Sequence, residues 1–158
     1  MVKRTLLPAR QKLIKAVRSL DNKTVSVGFF ADQGKHSGSN LNYTNLMFIQ
    51  EVHGVRSKAG LVHRRLFELT AMQHRDDIVN NVKNSISRNF PNNPNQILKD
   101  FGKDVQAKLR DGFGDTSLLP HNAPSTIAGK GSNSPLVDTG ELKSKVTYRV
   151  RRKSKDNV

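Results

Sequence analysis

A chain of 158 residues that is 35% hydrophobic, about 42% with glycine counted, can build one domain with a lean core, below the roughly 45–50% usual for soluble domains. The absence of cysteine excludes disulfides and thiolate metal sites, and no apolar run reaches the roughly 18–20 residues that span a membrane. A net charge of +14, from 27 Lys and Arg against 13 Asp and Glu, suits nucleic acid and acidic protein surfaces equally well as partners.

The basic start is interrupted by Arg10, Gln11 and Lys12, so it lacks the continuous apolar stretch of a signal peptide. Leu13, Ile14, Val17 and Leu20 recur at helical spacing and predict an amphipathic helix over 8–20, with Pro8 in its first turn and Lys12, Lys15 and Arg18 on its polar side. Val25, Val27 and Phe29 alternate, predicting a strand over 24–30. Residues 31–42, rich in Gly, Ser, Asn and Asp, read as a long mobile loop. Leu46, Met47, Ile49 and Val52 predict a helix over 43–52, with Gly54 as a left-handed stop. Residues 55–63 form an irregular basic connection.

Leu66, Leu69, Ile78, Val79, Val82 and Ile86 predict one long helix over about 65–90, ended by Pro91 and Pro94. Ile97, Leu98, Phe101, Val105 and Leu109 predict another over about 95–112, which Gly102 weakens by up to about 1 kcal/mol. Residues 113–135 read as a second long loop. Over 142–150, Val146, Tyr148 and Val150 face one way and Lys145, Thr147 and Arg149 the other, as in a half-buried strand. Residues 151–158 make a basic, flexible tail.

The expected fold is therefore a single α+β domain over 1–150, a small mixed sheet packed against three to four helices. Two strands are too few for an independent sheet. Either 55–63 and 113–137 hide further strands, or neighbouring subunits complete the sheet; both stay open.

No catalytic, cofactor or metal pattern stands out. The histidines, His36, His53, His63, His74 and His121, lack the spacing that sets two ligands on one helical face, so surface or capping roles are expected. Gly129-Lys130-Gly131 has Pro124 where a phosphate loop needs its first glycine, and no GxSxG supports a nucleophile. Asp76 and Asp77 read as solvated partners of nearby cations. Two stretches are basic without acids: Lys3 to Arg18, and Lys143, Lys145, Arg149, Arg151, Arg152 and Lys153 with Lys155 near the end. With neither a recognition motif nor clustered aromatics, any nucleic-acid contact would be to the phosphate backbone.

Ala123-Pro-Ser-Thr-Ile-Ala-Gly-Lys-Gly131 and Pro135-Leu-Val-Asp-Thr-Gly-Glu-Leu142, followed by a strand, resemble the C-terminal signature of phage virion-morphogenesis proteins. These are tail-completion or head–tail connector (neck) proteins, related to the lambda-type minor tail protein Z. Val25-Ser-Val-Gly28, Ile49 to Gly54 and His63 to Phe67 are similar to three earlier motifs of that family, in the same order. Two departures stand out: an extra residue between Glu51 and Gly54, and His63 and Leu66 where the family has prolines.

The resemblance implies a non-enzymatic virion protein, without cofactor, that assembles in the host cytoplasm as a cyclic homo-oligomer, a hexamer or dodecamer. Its partners would be head-connector or portal-side proteins and tail terminator or tail tube proteins, with DNA in the channel and no membrane. Pro135, Leu136, Asp138, Thr139, Gly140 and Leu142 would form the assembly contact. Lys143, Lys145, Arg149, Arg151, Arg152 and Lys153 would face DNA or an acidic partner. The alternatives are a tail terminator ring capping the tube, a free-standing basic nucleic-acid-binding protein, and a hydrolase without a recognisable motif.

Overall fold

Helices and a few short strands make up the computed structural model, which describes residues 3–57 and 60–153, with backbone alone for 3–6. The helices are α1 (Lys3–Asp21), α2 (Tyr43–Phe48), α3 (Leu66–Gln73), α4 (Arg75–Asn89), α5 (Pro94–Gly112), α6 (Pro124–Lys130) and α7 (Glu141–Lys145). The strands are β1 (Lys23–Gly28), β2 (Val55–Ser57), β3 (Gly60–Val62) and β4 (Thr147–Arg152). The fold is α+β, as its pattern predicts, but the strands form two separate pairs, β1 with β4 and β2 with β3.

The chain divides into two compact units. The first comprises residues 1–27, 76–105 and 148–158, and the second residues 28–75 and 106–147. In the first, α1 starts five residues before the predicted helix, so Pro8 lies inside it rather than in its first turn. Val25 and Val27 are half-buried between exposed Thr24 and Ser26, the predicted alternation. The Lys153 N–H donates to the Asn22 carbonyl at 2.9 Å, which sets the end of β4 against the start of β1, so the pair is antiparallel. Arg151 and Arg152 thus belong to a strand rather than a frayed tail; 154–158, with Lys155, lie outside the described residues.

The predicted helix over 65–90 is two helices, broken at His74, whose N–H still reaches the Thr70 carbonyl at 3.0 Å. No apolar residue lies between Met72 and Ile78 to hold a continuous face. Asp76 and Asp77 then sit in the first turn of α4, where carboxylates favour a helix start. Within the first unit α4 meets α5 through polar groups. Ser85, 1% exposed, donates to Asp100 Oδ2 at 2.5 Å, and Gln96 donates to Asp100 Oδ1 at 2.7 Å. Both bonds hold the Asp100 carboxyl below its ordinary pKa.

In the second unit, residues 31–42 are tied down rather than free. A short 3-10 turn spans Ala31–Gln33, and Lys35 bridges to Asn42. The Asn42 side chain caps α2 by accepting from the Asn45 N–H at 2.7 Å. The predicted helix over 43–52 changes pitch after Phe48. Ile49–His53 form a π-turn, closed by the Gly54 N–H on the Ile49 carbonyl at 2.7 Å. The 55–63 connection hides a hairpin, with Val55 opposite Val62 and Ser57 opposite Gly60. The 113–135 stretch hides no strand but carries α6, which ends at Gly131 with φ 68°. Over 142–150 the strand begins only at β4, because 141–145 coil into α7, and residues 147–150 are all half-buried rather than alternating in exposure.

Burial is uneven between the units. Tyr43, Met47, Leu66, Leu109, Phe113, Leu119, Leu142 and Val146 are buried in the second, whereas the first buries only Ala16 and Ile97 among its described hydrophobic residues.

Candidate functional site

Pro135 to Leu142 close a turn against the end of α5. Pro135 is fully buried and its carbonyl accepts from the Gly114 N–H at 2.9 Å. Leu136 holds φ 60°, rare for a branched side chain, and Gly140 holds φ 80° before α7, where only glycine is unstrained. The Thr139 hydroxyl, not the Asp138 carboxylate, accepts the Glu141 N–H, at 3.3 Å. Lys130 at the end of α6 donates to the Val137 carbonyl and, at 3.5 Å, to that of Ser134. Of the six predicted contact residues, Pro135 and Leu142 are therefore packing residues, while Asp138 and Thr139 are exposed and free to meet a neighbour.

Glu141 carries more of the local structure than its place in the motif suggests. It accepts from the hydroxyls of Ser37 and Tyr43 and, at 3.3 Å, from the Ser37 N–H, with His36 Nε2 at 3.8 Å. The Ser37 and Tyr43 bonds hold its carboxyl at about 2, well below the ordinary value, and the Tyr43 phenol is raised in return. These bonds fix the 31–42 segment to α7. The carbonyls at the end of α7 are satisfied by side chains: Gln33 donates to Lys145 O at 2.6 Å, Gln106 to Val146 O at 2.9 Å, and Arg110 to Val146 O at 2.8 Å.

Sequence-distant motif segments meet in the second unit. Glu51 accepts from the Phe67 and Glu68 N–H groups at 3.2 and 3.1 Å, capping the α3 start, and burial raises its pKa. Gly28 lies under the Phe67 ring, where an added Cβ would sit 3.1 Å from Cε1. Arg64 donates to Gln50 Oε1 at 3.3 Å and to Asn122 Oδ1 at 3.1 Å, and the Asn122 N–H donates to Asn133 Oδ1 at 2.9 Å. Around them opens a cavity of about 910 Å³, walled by Leu46, Val55, Val62, Leu136, Val137 and Leu142.

The predicted cationic residues fall into two groups. Lys143 and Lys145 lie on α7 in the second unit, with Lys145 Nζ 5.3 Å from the centre of the Tyr43 ring. Arg149, Arg151, Arg152 and Lys153 belong to the first unit. There Arg151 and Arg152 line a depression of about 250 Å³ with Lys23 and Lys99, two residues that sequence reasoning missed. Strand pairing and the α5 start bring them in; no local pattern could. Lys153 stands 3.5 Å from Asp21.

No family model, curated protein or solved structure matches this chain. Among the described residues no helix is long and apolar enough to cross a membrane, and no three His, Asp or Glu side chains are grouped to hold a metal ion.

Proposed function

We propose that this chain is a structural virion protein of a long-tailed phage, a tail-completion or neck subunit that closes into a ring around the DNA path and joins the tail to the head connector. The carrying observation is convergence. Four of the five segments that resemble the family's motifs, 49–54, 63–67, 123–131 and 135–142, lie in one compact unit, together with Gly28 of the fifth. Glu51 links 49–54 to 63–67, Arg64 reaches Asn122 beside 123–131, and Lys130 links 123–131 to 135–142 through the Val137 carbonyl.

The first unit supports the same reading from a different side. It buries little, and it leaves Leu7, Leu13, Ile14 and Val17 of α1 and Val79 and Ile86 of α4 exposed. A closed ring would cover such surface against neighbours. The work of the protein is then contact formation, without catalysis or cofactor, with assembly in the host cytoplasm and residence in the virion neck. A tail terminator ring is the near alternative. A free-standing nucleic-acid-binding protein is the distant one, favoured by the Lys23, Lys99, Arg151 and Arg152 cluster. Deleting the gene separates the readings: the neck role predicts filled heads and complete tails that fail to join, and normal infectious particles would contradict it.

A further inference from the structure

Arg64 is a half-buried guanidinium with no carboxylate partner among the described residues. Its two hydrogen bonds go to neutral amides, those of Gln50 and Asn122. Its Nε–H is buried and unpartnered, and so is the Nδ2 of Asn122, a residue only 7% exposed. An uncompensated charge and two unmet donors in a partly dry site are unfavourable together. Both side chains line the 910 Å³ cavity, and everything they lack is an acceptor, above all an anionic one.

The remaining lining narrows what could supply it. Arg56 and Lys130 add positive charge, and Lys130 spends its hydrogen bonds on neutral carbonyls. Of the two acids present, Glu141 is engaged by Ser37 and Tyr43, and Asp138 is exposed. The apolar part of the lining is aliphatic, and the rings in it are the imidazoles of His36 and His121, with no Phe, Tyr or Trp beside them to stack a base. Aliphatic walls around an unpaired guanidinium suit a peptide with apolar side chains flanking one carboxylate better than they suit a nucleotide.

We propose that this cavity is a docking site for an acidic, apolar segment of another protein, whose Asp or Glu carboxylate pairs with Arg64 and takes hydrogen bonds from its Nε and from Asn122 Nδ2. Both side chains turn toward the occupant as it enters. The proposal rests on the neck reading only for the origin of that protein, a neighbour in the virion.

The test uses the full chain, isotopically labelled, with two blocked peptides as probes: Ac-Ala-Leu-Glu-Val-Leu-NH2 and its Gln counterpart. The Glu peptide is expected to shift the Arg64 Nε–H and Asn122 amide resonances and to bind about tenfold more tightly than the Gln peptide. Asn122→Asp, which gives Arg64 a carboxylate in place, is expected to fold and to lose the Glu preference; Arg64→Gln should lose it as well. Unmoved resonances, or equal binding of the two peptides, would overturn the proposal. So would displacement of the Glu peptide by oligothymidylate or inorganic phosphate at lower concentration, which would mark a phosphate site instead. Because the titration needs no ring, its failure leaves the neck reading standing, and a protein that never assembles leaves the titration result standing.

Discussion

Gly102 is buried in the middle of α5, where glycine ordinarily weakens a helix, and the Tyr148 ring of β4 explains it. A Cβ there would lie 2.7 Å from Cγ, at the base of the ring, which cannot swing aside as a flexible tip could. Gly102→Ala is expected to lose about 1–2 kcal/mol, overpacking exceeding the gain in helix propensity, and Tyr148→Ala in the same chain should recover part of it. Thermal unfolding of the single and double variants measures both. Glu141 makes a pH-dependent contribution. Its folded pKa is depressed from 4.5 to about 2, so its stabilisation is complete above about 4.5, declines as pH falls, and is gone near about 2. The melting-temperature difference between the natural chain and Glu141→Gln should follow that course. A constant difference from neutral pH down to about 2 would show that the ionised carboxylate contributes nothing.

At the scale of elements, Ser85 and Asn81 of α4 donate to Asp100 and Asp104 of α5, while Gln96, within α5, holds the other Asp100 oxygen. Ser85→Ala is expected to destabilise by about 1 kcal/mol, near the middle of the range because Asp100 keeps much of its water. Denaturant unfolding should register it as a lower midpoint at unchanged slope. Helix identity was legible where one apolar stripe recurs without interruption, as from Ile97 to Leu109. It was misread where the backbone changes pitch within such a stripe, at the π-turn of Ile49–His53, and where a stripe resumes after polar residues, at His74. The β2–β3 hairpin was invisible because its strands are three residues each, too short to declare a period. The 135–142 turn was legible through Gly140, whereas the weight of Glu141 was not. Its partners Ser37 and Tyr43 lie about a hundred residues away, and neither carries a local signal.

For the whole molecule, positive charge and thin burial in the first unit are the two features that a monomer leaves unexplained. Lys23, Lys99, Arg151 and Arg152 give the charge a location. If DNA passes there, Lys99→Ala should weaken duplex binding alike for all sequences and flatten the log–log salt dependence by about one unit per lost phosphate contact. Fluorescence anisotropy over a salt series reads both; an unchanged slope would assign the cluster to protein surfaces instead. The exposed apolar residues of α1 and α4 point the same way, since a chain this polar completes its burial through neighbours or remains marginal. Ring closure is the central claim, and particle mass with negative-stain imaging of the protein, alone and on purified tails, tests it most directly. Closed rings of six or twelve copies seated at the tail end are expected; a strictly monomeric protein that never joins tails would contradict the account.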